Sequence, residues 1–256
     1  MSPEPLTPGE RPAFLARWLL EQAAGEGLVL TKTGALARAV VREVAELWPQ
    51  WWDHELFGPP HRELDLRVLE ETHDALRRLR LLRRRQGRVL TTVRGRELAA
   101  DPDALLRVLR ADVDAGEPFE AAAWAATEAA LLTRTEPVDT DELVDLVRPE
   151  LQVEGWRSPG GEVLDGHVLF GALMPVLTRA EGFGLLTSDR PARRLRFGLS
   201  PAGRALAAVA AQTPRVSPEP GDSVLVVTAD LLNAPGVRAR LAVLERQHLT
   251  ALHDAI

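Results

Sequence analysis

The sequence predicts a mainly helical fold with short β-hairpins, an α+β class, and one repeated pattern carries most of the prediction. A leucine pair, a polar or basic reversal and a capped helix occur twice in the 256 residues. They run from Leu81-Leu82 to Thr92, and from Leu185-Leu186 to Ser200. Gln86-Gly87 and Ser188–Pro191 supply the reversals, and the hydroxyls of Thr92 and Ser200 suit helix N-caps. Such hairpins after a run of helices predict two winged-helix domains in tandem.

The first copy reads as helix, strand, helix, helix and hairpin. Apolar residues at helical spacing predict its helices, and the apolar stretch 28–30 predicts a strand. Residues 48–61 break the helical period and are interpreted as an insertion. The predicted helices cover about 14–23, 35–47, 64–79, 94–100 and 103–111.

The second copy repeats this order with looser spacing. An alanine-rich helix over 119–132 comes first, and Asp139 with Glu142 resembles a capping box before the next helix. A helix over 163–180 is predicted despite Gly166, Gly171 and Pro175. The hairpin 185–199 and a helix over 201–211 complete the copy.

These patterns divide the chain into five segments. We expect a disordered tail (1–10), a first winged-helix domain (11–116), a second (117–212), a proline-rich linker (213–222) and a C-terminal strand–helix appendage (223–256). The appendage is predicted as a strand over 223–228 and a helix over 236–255. Such an appendage would either dock on a neighbouring domain or pair two protomers, and a homodimer is expected.

Composition excludes several classes of function. There is no cysteine, so disulfides, thiolate metal sites and thiol nucleophiles are excluded. No secretion signal or membrane-spanning run is recognisable, which predicts a cytoplasmic protein with no membrane partner. Asp53, His54, Glu55 and His61 are metal-ligand types, but neighbours in one loop rarely converge on one ion, so no metal is expected. No nucleophile, nucleotide or dinucleotide motif appears, and neither catalysis nor a cofactor is predicted.

Positive charge is concentrated in one segment of this chain of net charge −6. Nine of its 31 basic residues are arginines within residues 75–96, and no acid interrupts them. Guanidinium groups around a wing tip can contact DNA phosphates, and about six such contacts would make affinity fall as roughly the fifth power of salt concentration. The predicted contacts to the backbone of double-stranded DNA are Arg77, Arg78, Arg80, Arg83, Arg84, Arg85, Arg88, Arg94, Arg190, Arg193 and Arg194. The alternative is a solvated face in which the arginines pair with Glu63, Glu70, Glu71 and Asp74.

The third helix of each copy argues against base readout. In the first copy it carries Glu63, Asp65, Glu70, Glu71 and Asp74, which would repel phosphate, and in the second Arg179 is its only basic residue. Specific recognition needs Arg, Lys, Asn or Gln at base edges. The second copy is therefore interpreted as mainly structural or dimeric.

An aromatic cluster lies in the predicted insertion. It contains Trp48, Trp51, Trp52 and Phe57, in a chain that is only 5% aromatic. Aromatic anchors suit a ligand or partner pocket, whereas the alternative is a hydrophobic plug over the first domain.

Two strings carry a resemblance. Residues 27–36 and 79–98, followed by Asp101-Pro102, resemble a poorly characterised family of bacterial hypothetical proteins over roughly residues 13–115. In many members this region is the C-terminal part of plasmid-type open-reading-frame proteins, and the resemblance implies no activity. The hairpin followed by Thr92-x-x-Gly95-Arg96 is also similar to the wing and next helix of multiple-antibiotic-resistance-type regulators. That similarity implies helix-turn-helix DNA binding and transcription regulation by analogy.

The sequence therefore favours a noncatalytic DNA-associated protein. A protein-interaction module of tandem winged helices, without direct DNA binding, is the main alternative. The acidic third helix of the first copy and the apolar third helix of the second favour it, and similar pairs bind other proteins in chromosome-organising complexes. A small-molecule sensor using Trp51 and Trp52 is a third.

Overall fold

The computed structural model describes residues 12–157, 163–189, 194–212, 224–230 and 238–244. The chain divides into two compact units, Met1–Ala210 and Ala211–Ile256. The predicted tail 1–10 and linker 213–222 lie outside the described residues. Within the first unit the buried apolar side chains of both sequence repeats form one continuous core. The predicted domain boundary near residue 116 is therefore a boundary between repeats that share a core.

The first repeat has the predicted order of elements. A 3₁₀ turn over Pro49–Trp51 and a second over Glu63–Asp65 flank a short helix over His54–Phe57. The elements are α1 (Phe14–Gln22), β1 (Leu28–Val29), α2 (Arg38–Leu47), α3 (His54–Phe57), α4 (Arg67–Arg78), β2 (Leu82–Arg85), β3 (Arg88–Thr91), α5 (Val93–Ala100) and α6 (Pro102–Asp114). All strand pairs are antiparallel, and the sheet order is β1-β3-β2.

The second repeat reproduces this order. Its elements are α7 (Pro118–Leu132), β4 (Val138–Asp139), α8 (Thr140–Val153), α9 (Gly166–Gly182), β5 (Leu186–Asp189), β6 (Arg196–Leu199) and α10 (Pro201–Gln212). Its sheet order, β4-β6-β5, matches that of the first repeat. The predicted mainly helical α+β class with short antiparallel hairpins is confirmed.

The shared sequence pattern corresponds to shared contacts. The carbonyl of Leu81 accepts from the backbone N–H of Thr92 at 2.9 Å, and that of Leu185 accepts from Ser200 at 3.0 Å. The predicted N-caps are confirmed, since Gly95 N donates to Thr92 Oγ1 at 3.0 Å and Gly203 N to Ser200 Oγ at 2.9 Å.

Glycine is required three residues after each cap. A Cβ on Gly95 would collide with the carbonyl oxygen of Leu81, and one on Gly203 with that of Leu185. The obstacle is backbone in both cases, so a side chain could not be accommodated by a rotamer change. The Thr/Ser-x-x-Gly spacing therefore records a close approach of helix to strand in each repeat.

Three predicted helices begin later than expected. One of them is α4, which starts at Arg67 rather than Leu64, since Glu63–Asp65 form a 3₁₀ turn. The second helix starts at Arg38 rather than Ala35, because Leu30 forms a β-bridge with Leu36 and Ala37 N donates to Val29 O at 2.9 Å. In α9 the start moves from 163 to Gly166, where Asp165 accepts from His167 N at 2.8 Å and Val168 N at 3.2 Å. The helix continues through Gly171 and Pro175, so these breakers do not interrupt it.

The predicted C-terminal helix over 236–255 is wrong where the structure describes it. Arg238–Leu244 is strand β8, and it pairs antiparallel with β7 (Val224–Asp230), which matches the predicted strand over 223–228. Alanine, leucine and arginine favour helix in isolation, but a seven-residue ladder offers the backbone an alternative set of hydrogen bonds. The rest of 236–255 lies outside the described residues.

Candidate nucleic-acid interface

The first hairpin, β2–β3, is compact and bears arginines, and it is called the wing below. Its two-residue turn has φ of 48° at Gln86 and 73° at Gly87, so both central residues are left-handed, as in a type I′ turn. This turn keeps the two strands in tight register, with Arg85 opposite Arg88 and Arg83 opposite Leu90. The result is a short, twisted ribbon with arginines up to its tip.

Alternation along β2 decides where each arginine lies. Leu82 and Arg84 share the face of buried Val89, whereas Arg83 and Arg85 share the opposite face with Arg88. Near the tip the Arg84 guanidinium extends over the loop between β1 and α2. Its Nη1 lies 3.2 Å from the position that a Cβ on Gly34 would occupy. The hairpin and this loop therefore meet at one surface.

Arg83, Arg84 and Arg85, hereafter the wing arginines, are free of carboxylates. All three are exposed, and none of their guanidinium groups has a hydrogen bond or ion pair with the part of the chain that the structure describes. Their charges face solvent without internal neutralisation. The alternative of a fully paired face therefore does not hold for these three residues.

Other predicted contact residues are engaged within the protein. Arg77 Nη1 lies 3.5 Å from Asp74 Oδ1, and Arg78 binds both carboxylate oxygens of Asp112, at 3.1 and 2.6 Å. Hydrogen bonding to Asp112 raises the pKa of Arg78 above its ordinary value. Arg88 Nη1 donates to the carbonyls of Glu26 and Gly27 at 3.2 and 2.8 Å, which ties the wing to the loop before β1.

The remaining predicted residues are more scattered. Arg80 is exposed, with a left-handed φ of 58°, directly after α4, and Arg94 is half-buried at the start of α5. In the second repeat Arg194 lies 3.8 Å from Asp139 and keeps 78% of its side chain exposed. Arg190 and Arg193 lie outside the described residues.

One of the acids assigned to the outer face of the third helix is buried instead. Glu63, in the 3₁₀ turn before α4, accepts from the backbone N–H of Leu36 at 2.6 Å. Its other oxygen lies 2.7 Å from His73 Nδ1, and both side chains are almost completely buried. Glu63 therefore links the start of α2 to α4 and does not face a DNA groove. The sequence offered no signal for this pair, because ten residues and a helix start separate its members.

The aromatic cluster divides into a buried and an outer part. Trp48 and Trp51 are buried and stack around Phe14, with ring centroids 5.4 to 5.7 Å apart. Trp51 Nε1 donates to Glu181 at the end of α9, at 2.7 Å. These positions fit the plug interpretation. Trp52 is half-buried, and Phe57 is 62% exposed, so Phe57 is the member of the cluster most open to a partner.

No metal-type cluster of three or more His, Asp or Glu side chains occurs among the described residues. Asp53 caps α3 by accepting from Leu56 N at 2.9 Å. A shallow groove of about 390 Å³ lies between α8 and the start of α9, and none of the predicted site residues lines it. None of the helices in the described ranges is long and apolar enough to cross a bilayer.

Sequence reasoning did not identify the loop that adjoins the wing. Thr31 to Gly34 form a tight turn in which Gly34 N donates to Thr31 O at 3.0 Å, and the two threonine hydroxyls lie 2.9 Å apart. This turn carries Lys32, the only lysine of the chain, which is exposed. Because Arg84 reaches Gly34, the turn brings a further cation to the side of the hairpin on which Arg84 lies.

Comparison with known families gives one match. Residues 14–104 match the family model described as the Y4jL N-terminal domain, an uncharacterised family. The match runs from the start of α1 into the first turn of α6, so it covers the first repeat, including the wing and its adjoining turn, and ends before the second. No solved structure matches this chain. The first repeat is thus similar to an uncharacterised family, which agrees with the predicted resemblance to a poorly characterised family.

Proposed function

We propose that this chain is a noncatalytic DNA-associated protein of tandem winged-helix type, which contacts the backbone of double-stranded DNA through the wing arginines. The observation that carries the proposal is their local charge. Three adjacent, exposed guanidinium groups have no carboxylate partner among the described residues, in a chain of net charge −6. Lys32 on the adjoining turn extends the positive surface.

The exposed, unpaired guanidinium groups of the wing arginines suit phosphate binding better than a role in stabilising the fold. Guanidinium groups bind phosphate oxygens in bidentate fashion, and surface arginines that stabilise a fold usually have an internal acceptor, as Arg78 and Arg88 do. Arg85 lies directly opposite Arg88, a like-charge arrangement that weakens a hairpin. A bound polyanion would relieve this repulsion.

Duplex binding by matched variants tests the proposal. In one variant Arg83, Arg84 and Arg85 are replaced by Gln. The control replaces Arg17, Arg67 and Arg77 by Gln, which changes the net charge equally but removes arginines that already have carboxylate partners. At about 50 mM salt we expect the wing variant to bind a fluorescent mixed-sequence duplex at least ~100-fold more weakly, because about three phosphate contacts are lost. Equal affinity of the two variants would contradict the proposal.

A protein-interaction module is the second candidate, and one observation favours it. Leu56 and Phe57 of α3 are adjacent and 55% and 62% exposed, an unusual arrangement for large apolar side chains on a small helix. If the protein serves mainly to bind another protein, replacing both by Ser should abolish capture of a specific partner while the wing variant leaves it intact. The opposite pattern supports the DNA proposal.

Homodimerisation through residues 223–256 belongs to the same proposal. The described part of this unit is the two-stranded β7–β8 ribbon, and isolated two-stranded ribbons are marginally stable in water. Cover from a second copy would stabilise it. Sedimentation equilibrium tests this directly, and a monomer at concentrations of about 50 μM would contradict it.

A further inference from the structure

A buried polar pair in the first repeat has no part in the contacts proposed above. Glu63 is 4% exposed and His73 is 2% exposed, and Glu63 Oε1 lies 2.7 Å from His73 Nδ1. The other carboxylate oxygen of Glu63 accepts from the backbone N–H of Leu36 at 2.6 Å. Burying a carboxylate costs free energy unless hydrogen-bond donors replace the water that it loses. The two donors, one on each oxygen, are therefore what allows Glu63 to lie in the interior.

These contacts also assign the roles of the two imidazole nitrogens. A carboxylate only accepts hydrogen bonds, so His73 Nδ1 carries the proton and donates it to Glu63. His73 Nε2 is then left as an acceptor, and it has no partner in the described part of the chain. Through this arrangement Glu63 holds two separate elements at once: α4 through His73, and the segment before α2 through Leu36.

The segment that Glu63 holds contains the turn Thr31–Gly34. At the start of the segment, Leu30 N donates to the carbonyl of Gly87 at the tip of the wing, at 2.8 Å. At its end, Leu36 forms a β-bridge with Leu30 and donates its N–H to Glu63. The turn is therefore tied to the wing at one end and to α4 at the other, and Glu63 provides the second tie.

The backbone of this turn decides where the charge of Lys32 lies. Arg84 Nη1 of the wing lies 3.2 Å from the position that a Cβ on Gly34 would occupy, so the turn and the Arg84 guanidinium are in close contact. Lysine ends in a point charge on a flexible four-carbon stem and has no fixed direction of its own. A turn that is held at both ends keeps the base of that stem near Arg84, whereas a loose turn would let it move away.

We infer that Lys32 is a further contact to DNA phosphate, and that Glu63, held by His73, is the positioning residue that keeps Lys32 beside Arg84. This inference rests on the proposed function and deepens it. Glu63 is buried and does not itself touch DNA. Its loss would leave the charge of Lys32 in place but would release the turn, so that ordering the turn on DNA would offset the gain from the phosphate contact.

A double-mutant cycle in the full chain tests the inference. The effect of Lys32→Gln on binding to a fluorescent mixed-sequence duplex at about 50 mM salt is measured in the wild type, in Glu63→Gln and in Glu63→Met. Gln can still accept from Leu36 and donate to the His73 ring, whereas Met has a similar length and makes neither hydrogen bond. We expect Lys32→Gln to weaken binding by about 10-fold in the wild type and in Glu63→Gln, but by less than about 2-fold in Glu63→Met.

The cycle separates positioning from a purely structural role. If Glu63 only stabilises the fold, Glu63→Met lowers the midpoint of thermal unfolding, but Lys32→Gln weakens binding equally in all three backgrounds. That result would refute positioning by Glu63. If Lys32→Gln has no effect in the wild type, the inference is refuted while the wing arginines remain the proposed contacts. Absence of duplex binding by the wild type would refute the proposed function and, with it, this inference.

Amide hydrogen exchange in the wild type keeps the inference testable if Glu63→Met does not fold. The N–H of Leu36 should exchange at least ~100-fold more slowly than that of Thr33, which lies in the same turn and has no acceptor among the described residues. Such protection supports the tie to Glu63. Equal exchange rates would show that Glu63 does not hold the turn and would overturn the inference.

Discussion

The salt dependence of DNA binding gives the sharpest test of the wing. The structure reduces the sequence-based estimate of about six phosphate contacts, because Arg77, Arg78 and Arg88 are engaged internally. Three wing arginines remain without a partner among the described residues. Each phosphate that is neutralised contributes about −0.9 to the slope of log K against log salt, so the wing accounts for about −2.7.

This slope predicts a measurable difference between two proteins. With three phosphate contacts, raising the salt concentration from about 50 to 200 mM should weaken the affinity for DNA by about 40-fold. Replacing the wing arginines by Gln should therefore make the slope shallower by about 2.7, whereas the control variant with Arg17, Arg67 and Arg77 replaced should keep the wild-type slope. The two slopes are measured by fluorescence anisotropy on the same duplex across the salt series.

The stability of the wing variant provides the necessary check. Because the wing arginines are exposed and have no partner in the described residues, their loss should leave the midpoint of thermal unfolding unchanged, or raise it slightly by removing the repulsion between Arg85 and Arg88. A slope that changes by less than about one, with the fold intact, would mean that at most one wing arginine contacts phosphate. The reasoning from unpaired charge would then be wrong.

Three further predictions concern the fold. Gly95→Ala and Gly203→Ala should each lower the free energy of unfolding by about 1–3 kcal/mol or more, because the new Cβ meets a backbone carbonyl. Gly171→Ala, at a helix position with open space around it, should instead raise that free energy by about 0.5–1 kcal/mol. Chemical denaturation measures both changes and shows whether they are opposite in sign. Trp51→Phe should lower the free energy of unfolding by about 1.5–3 kcal/mol, because it removes the hydrogen bond to buried Glu181. Trp18→Phe removes an indole N–H with no partner among the described residues and should lower it by less. Similar losses from the two substitutions would contradict the role of Glu181. Burial tends to raise the pKa of Asp65, but hydrogen bonds from the backbone of His61 and Arg62 and from the Arg62 side chain outweigh it and lower that pKa below its ordinary value. The resulting stabilisation is present above the ordinary pKa and is lost as pH falls through the lowered pKa, so the wild type should be more stable than Asp65→Asn at pH 7 and lose that advantage in acid. A stability difference that stays constant down to about pH 2 would argue against this role of Asp65.

Local patterns sufficed for most of the secondary structure. Hydrophobic spacing located the long helices, and the hydroxyl caps at Thr92 and Ser200 fixed two helix starts, because capping depends on residues three positions apart. The arginine-rich hairpin was also predictable, since its turn and register are set by adjacent residues. The C-terminal strand β8 was not, because the choice between helix and strand there depends on a partner strand.

The sequence by itself determined the two repeats and the segregation of arginine into one hairpin. Only the tertiary structure decided which of those arginines are free, because Arg78 meets Asp112 and Arg88 meets the loop before β1 across long separations in the chain. It also decided that α4 and α9 cover each other, with Gly182 against Thr72. Periodicity shows which face of a helix is apolar, but the surface that covers that face is chosen by packing between residues more than 100 positions apart.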